Sequence, residues 1–120
     1  MKYEYEPPQL KKIYENERKM KAKYGPKISL GMILLLNALE AATNAYDIKC
    51  NIFFYMEHLK GNLKEYYSLF LDKKKSKWRM LIQMLDENGK ALIPNDNEKE
   101  FLKSIKRVKL KELSEHYGEY

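Results

Sequence analysis

The chain has 120 residues, of which 33% are charged and 44% are apolar, with a formal net charge of +6 and an isoelectric point of about 9.2. This composition excludes an intrinsically disordered chain, and the length fits one domain, residues 1–120, with a single modest core. The longest apolar run, Met32 to Leu36, is too short to cross a bilayer and the first residues form no apolar signal region, so we expect a soluble cytoplasmic protein with no membrane partner.

The basic excess is concentrated in two segments. Residues 103–111 hold five cations and no carboxylate, and residues 61–80 hold six cations against two carboxylates. Such segments predict a polyanion partner such as RNA or DNA, with a solvated charged surface as the alternative. The single cysteine, Cys50, excludes an internal disulfide and a cysteine-based zinc site, and we expect neither a metal nor a cofactor.

The first half of the chain predicts one strand and two helices. Residues 1–6 alternate tyrosine with charge and predict a short strand that ends at Pro7-Pro8. Apolar residues recur at helical spacing from Gln9 to Lys23, and Gly25-Pro26 then ends one helix and begins another, from Lys27 to about Tyr46. Because the second helix is apolar over much of its circumference, we expect it to pack on a sheet and also to contact the first helix or a partner.

A β-hairpin is predicted in the second half. Two strand-length apolar runs, residues 66–71 and 78–85, flank a polar, lysine-rich connection. Alternation in the second run places Trp78, Met80, Ile82 and Met84 on one face and Arg79, Leu81 and Gln83 on the other. Arg79 is therefore an arginine in an apolar strand, and its guanidinium has to reach solvent, a carboxylate or a phosphate. The alternative is an arginine at the sheet edge whose guanidinium group is solvated.

The remaining segments complete the predicted fold. Residues 91–100 predict an exposed loop, and a last strand, from Ser104 to Leu113, directs Val108 and Leu110 to one face and a set of cations to the other. Those cations are Arg107, Lys109 and Lys111. The order of elements predicts an α+β domain in which an N-terminal helical hairpin packs on a small twisted antiparallel sheet.

Four segments follow one another behind the helical hairpin: His58-Leu59-Lys60-Gly61, Tyr67-Ser68-Leu69, Trp78-Arg79-Met80-Leu81-Ile82 and Leu113-Ser114-Glu115-His116-Tyr117. In this order they resemble the RelE/ParE superfamily of bacterial toxins, most closely its HigB-like (killer protein) branch. The resemblance implies a RelE-like microbial RNase-type fold and cleavage of mRNA on the ribosome. It also implies neutralisation by a helix-turn-helix, HigA-like antitoxin, through which alone the toxin would meet operator DNA.

Catalytic roles for Arg79 and His116 are implied by the same resemblance. Metal-free RNA cleavage uses the 2′-OH as nucleophile and needs cations at the phosphoryl oxygens, a proton acceptor and a proton donor. Arg79 can supply the positive charge, and His116 can transfer protons because the pKa of histidine ordinarily lies near neutrality. The candidates for binding phosphates and bases are Lys60, Lys77, Arg107, Lys109, Tyr67 and Tyr117.

Two alternatives remain open. A gyrase-inhibiting, ParE-like toxin would share the fold without the catalytic residues, and a catalytically inactive basic module would only bind the antitoxin. The sequence favours the ribonuclease through Arg79 and His116, although no carboxylate base can be assigned from it.

Overall fold

The computed structural model describes residues 1–73 and 75–115, which form a five-stranded sheet with helices. The strands are β1 (Lys2–Tyr5), β2 (Glu57–His58), β3 (Tyr66–Phe70), β4 (Arg79–Leu85) and β5 (Arg107–Ser114). Their order across the sheet is β1-β5-β4-β3-β2. The domain is therefore α+β, as predicted.

The sheet is mixed, which corrects the prediction of an antiparallel sheet. The pairs β2–β3, β3–β4 and β4–β5 are antiparallel, but β1 runs parallel to β5, with Lys2 opposite Arg107 and Tyr5 opposite Leu110. Antiparallel neighbours are favoured where a short turn joins two strands, whereas parallel strands need a long crossover. All the intervening helices and strands separate β1 from β5, so no turn constrains their relative direction.

The described residues form five α-helices. They are α1 (Lys11–Tyr14), α2 (Glu17–Tyr24), α3 (Pro26–Ala41), α4 (Ala45–Lys49) and α5 (Glu98–Ser104). The predicted helical hairpin is present as α2 and α3, which pack together and are joined at Gly25, whose φ of 90° suits glycine. Within the described part of the chain, no helix has both the length and the apolar character that crossing a membrane requires.

Asparagine caps divide both predicted helices. The side chain of Asn16 accepts a hydrogen bond from the Lys19 N–H (3.0 Å), which begins α2 as a separate helix. Similarly, α3 ends at Ala41 instead of continuing to Tyr46. Helix α4 then begins where the side chain of Asn44 accepts a hydrogen bond from the N–H of Tyr46 (3.0 Å). A capped start supplies partners for N–H groups that have none inside the helix, so two shorter helices replace one long one.

Helix α5 lies partly within the segment that was predicted to be an exposed loop. Asn97 accepts a hydrogen bond from the Glu100 N–H (3.4 Å), and Phe101 and Leu102 are buried. The loop prediction is therefore wrong from Glu98 onward. Because α5 lies between β4 and β5, the helices are not confined to the N-terminal half.

The core lies between the helices and one face of the sheet. Its strand residues include Leu69, Met80, Ile82, Met84, Val108 and Leu110, and its helix residues include Met20, Met32, Leu35 and Leu39. Helix α3 approaches the chain after β3 so closely that a Cβ added at Gly31 would lie 1.8 Å from the carbonyl oxygen of Leu71. This packing leaves the charged candidates to the opposite face of the sheet.

Candidate functional site

The face of the sheet opposite the core carries the cations that the sequence singled out. Strand alternation places Arg79 of β4 on this face, because Met80, Ile82 and Met84 belong to the core. On β5, Val108 and Leu110 are fully buried whereas Arg107, Lys109 and Lys111 are partly exposed, which confirms the predicted cationic face of that strand. We refer to this side of the sheet as the charged face.

Arg79 lies between an aromatic ring and a carboxylate. Its side chain is 18% exposed, and its Nη2 lies 3.7 Å from Oε2 of Glu57. The guanidinium carbon lies 4.6 Å from the centre of the ring of Phe70, the residue that pairs with Arg79 across β3 and β4. Both contacts hold the cation in place, and an arginine in this position keeps donors available for a phosphate.

Glu57 is the carboxylate that sequence reasoning missed. It lies on β2, pairs with Ser68 of β3, and its side chain is 53% exposed, so the carboxylate is accessible to a ligand bound at Arg79. Strand β2 has only two residues, too few for an alternation pattern to indicate which way Glu57 projects. The available signal was its position immediately before His58-Leu59-Lys60-Gly61.

Two further side chains lie near the Arg79–Glu57 pair. Tyr55 is 45% exposed and meets Phe70 edge-on, with 6.3 Å between the ring centres. Ser68 is fully buried, and its Oγ has no hydrogen-bond partner in the part of the chain that the structure describes. The exposed ring of Tyr55 and the unsatisfied hydroxyl group of Ser68 thus lie beside the Arg79–Glu57 pair.

Acidic side chains neutralise much of the cationic strand β5. Lys109 Nζ lies 2.7 Å from one carboxylate oxygen of Glu6, and Lys111 binds the other oxygen. Arg107 Nε lies 3.6 Å from Oε1 of Glu4. The hydrogen bonds from Lys109 and Lys111 lower the pKa of Glu6 to about 2, so the carboxylate stays ionised well below its ordinary pKa of 4.5. Glu4 of β1 and Glu6, which follows β1, therefore supply two negative charges to a face that the sequence predicted to be cationic.

Tyr67 does not have the position that its predicted role requires. It is fully buried and stacks on His58 with 5.0 Å between ring centres. Its hydroxyl group donates a hydrogen bond of 3.3 Å to the carboxylate of Glu98. Burial and the charge of Glu98 raise the pKa of Tyr67, which keeps the phenol neutral. This burial corrects the prediction that Tyr67 stacks on a base. Tyr55, with its exposed ring, occupies a position better suited to that role.

The other predicted site residues differ in their placement. Lys60 follows β2 and Lys77 precedes β4, and both are exposed. His116 and Tyr117 lie outside the described residues. The structure thus brings Arg79 together with Glu57, and Lys109 together with Lys111, but it separates Tyr67 from both pairs.

No group of three or more histidine, cysteine, aspartate or glutamate side chains within residues 1–73 and 75–115 could hold a metal ion. Comparisons of this chain with models of protein families, with curated proteins and with solved structures gave no match. The charged face itself offers a partly buried arginine, an accessible glutamate and two lysines that share one carboxylate.

Proposed function

We propose that this chain is the toxin of a type II toxin–antitoxin pair, with a RelE-like fold of the HigB-like branch, and that it cleaves mRNA on the ribosome without a metal. The Arg79–Glu57 pair carries the proposal, because it combines a cation and a proton acceptor 3.7 Å apart on the charged face. The order of strand, helical hairpin and hairpin strands supports the RelE-like arrangement.

The pair can serve the first half of the cleavage reaction. Glu57 accepts the proton of the 2′-OH, and the resulting oxyanion attacks the adjacent phosphorus. Arg79 stabilises the negative charge that develops on the non-bridging phosphoryl oxygens, for which its donor geometry is suited. When substrate is absent, Glu57 satisfies the guanidinium; when substrate binds, a phosphate oxygen takes over some of those donors.

The second half of the reaction needs a proton for the leaving 5′-oxygen. By resemblance, His116 is the donor, since an imidazolium can give up a proton near neutral pH. Breaking the P–O5′ bond then leaves a 2′,3′-cyclic phosphate on one fragment and a 5′-OH on the other. These ends distinguish the mechanism from one in which water attacks the phosphorus directly.

Tyr55 is the side chain that we assign to base stacking beside the cleaved bond. Its ring is 45% exposed and contacts Phe70, which in turn lies against Arg79. Stacking on an aromatic side chain contributes about 1–3 kcal/mol per base and tolerates different bases. The phosphate would then lie at Arg79, with a neighbouring base on Tyr55.

The partner that we propose is a helix-turn-helix antitoxin bound to the helical hairpin. Leu30 and Leu34 of α3 are 56% and 39% exposed and lie one helical turn apart, so they form an apolar strip away from the charged face. Exposed apolar surface of this kind is typical of an interaction site. Bound there, the antitoxin would keep the toxin off the ribosome by its bulk and leave Arg79 accessible.

Expression of the chain in bacteria, with parallel measurement of translation, transcript ends and gyrase supercoiling, tests the proposal. We expect growth arrest with new 5′-OH ends in mRNA. Glu57→Gln should reduce the rate of cleavage by about 10²–10⁴-fold because it removes the proton acceptor. Arg79→Ala should reduce the rate strongly, and His116→Ala should reduce it by a measurable factor. The matched control is Glu17→Gln, which removes a glutamate that pairs with Lys21 on α2.

The possible outcomes separate the functional classes. Full arrest by both the Arg79 and the Glu57 variants would contradict the catalytic assignment. Relaxed DNA with intact transcripts would instead support a gyrase-inhibiting toxin. Absence of both effects, with binding to the antitoxin retained, would support an inactive basic module.

A further inference from the structure

A cleft of about 1010 Å³ opens at the end of the sheet away from Arg79. Its wall includes Leu85, the last residue of β4, whereas Arg79 is the first residue of the same strand. Leu85 and Ile105 are almost fully buried and give the cleft an apolar floor. The cleft is therefore separate from the Arg79–Glu57 pair.

Positive charge predominates around this cleft. Its lining includes four cations, Lys2, Lys103, Lys106 and Arg107, against the carboxylates of Asp86 and Glu87. One oxygen of Asp86 already accepts hydrogen bonds from the backbone N–H groups of Asn88 (2.8 Å) and Lys90 (2.9 Å). The charge of that carboxylate is thus partly satisfied by its own turn, and an anion is the complementary ligand.

The lysines of this cleft differ from those at the centre of the charged face. Lys109 and Lys111 are held by Glu6, but Lys103 and Lys106 are exposed and form no ion pair with a carboxylate among the described residues. An exposed ammonium group can meet a phosphate without first losing a protein partner. Lys2, which also lines the cleft, is likewise exposed and forms no ion pair with a carboxylate among the described residues, so these three lysines are the cations of the cleft most readily available to an anionic ligand.

The cations of β5 connect the cleft to Arg79. Arg107 lines the cleft, and Lys109 and Lys111 follow it on the same face at intervals of about 6.6 Å. Along β4, the six steps from Arg79 to Leu85 span about 20 Å. A stacked nucleic-acid strand rises about 3.4 Å per nucleotide, so roughly six nucleotides cover this distance.

We propose that this cleft is a second anion-binding site, which holds phosphates of an RNA strand about six nucleotides from the one at Arg79. The inference rests on the proposed function for the identity of the strand, and it adds a requirement for substrate length. RNA is favoured over a free nucleotide because the cations continue from the cleft to Arg79 along one strand of the sheet. A short RNA that fills the Arg79 end should not reach the cleft.

Binding of 2′-O-methylated RNA, which cannot be cleaved, tests this inference in the full chain. Each phosphate contact contributes about 0.7 to the slope of log affinity against log salt for single strands. Lys103→Gln with Lys106→Gln should therefore reduce the slope for an RNA of about twelve nucleotides by about 1.4, and weaken binding about 25-fold at ~0.1 M salt. The affinity for an RNA of about three nucleotides should not change.

The matched control changes two lysines of the helices, Lys12→Gln with Lys19→Gln, which are exposed and do not line the cleft. An equal loss in this control, an equal loss for short and long RNA, or no loss at all would overturn the inference. Binding of a mononucleotide as tight as that of the long RNA would overturn it as well. Length-dependent binding without any RNA cleavage would uphold the cleft while refuting the ribonuclease proposal.

Discussion

Glu6→Gln is the substitution that most directly tests the charged face. Glutamine has nearly the shape of glutamate but no charge, so Lys109 and Lys111 would lose the carboxylate that each of them now binds. The local charge would increase by one, and both ammonium groups would become available to phosphates. RNA should therefore bind more tightly to this variant than to the parent chain.

The size of the gain follows from the number of lysines that are released. A phosphate contact on a single strand changes log affinity by about 0.7 for each tenfold change in salt. Relative to 1 M salt, one released lysine should therefore increase the affinity for RNA about 5-fold at ~0.1 M salt, and two should increase it about 25-fold. Glu6 is 46% exposed, and ion pairs at such sites contribute about 0–1 kcal/mol, so the variant should remain folded.

Fluorescence anisotropy with a labelled single-stranded RNA, repeated at several salt concentrations, measures both the affinity and the slope. The matched control is Glu17→Gln, because Glu17 also pairs with a lysine, at 2.9 Å from Lys21, but on the surface of α2. An unchanged or weaker affinity of the Glu6 variant would show that Lys109 and Lys111 do not bind phosphate. An equal gain in the control would show that net charge alone is responsible.

Three further predictions concern stability and partner binding. Gly31→Ala should lower the melting temperature, because a Cβ 1.8 Å from a backbone oxygen has to displace α3 at a cost of about 3 kcal/mol. Helix propensity alone would instead raise stability by about 1 kcal/mol, so a higher melting temperature would refute this account. The contribution of Glu6 to stability should be complete above its ordinary pKa of 4.5 and be lost as the pH falls through about 2. Urea unfolding of the parent and of the Glu6→Gln variant across this range measures that contribution as the difference between their free energies of unfolding. If this difference were lost already between pH 7 and 5, the lowered pKa would be contradicted. Leu30→Lys with Leu34→Lys should abolish binding of the proposed antitoxin without preventing growth arrest. Hydrogen exchange that is protected only near Arg79 in the complex would refute docking on the helices.

Features that depend on neighbouring residues were predictable from the sequence. The alternation in β4 gave the correct face for Arg79, because side chains in a strand point to opposite sides at every step. The same rule gave the two faces of β5. Helix α5 also had a local signal, since Asn97 precedes Glu100 by three residues, a spacing typical of a capped helix start.

The partners of the site residues could not be read from local patterns. Glu57 reaches Arg79 only because β2 and β4 both flank β3, and a two-residue strand has no periodicity to reveal its face. The bond between Glu6 and Lys109 joins residues 103 positions apart, and it requires a parallel pairing that no turn indicates. Tyr67 was a candidate for stacking on a base, whereas the register of the hairpin places it opposite Ile82, in the core.

The pairing of β1 with β5 affects the order in which the protein can fold. In the described sheet β1 has one neighbour, and that neighbour begins only at Arg107. Contacts between residues so distant in sequence close a long loop, and chains dominated by such contacts fold slowly. During synthesis, residues 2–5 therefore have no strand to pair with until β5 has been made. The charged face, with Glu6 held by Lys109 and Lys111, is completed only at that late stage of synthesis.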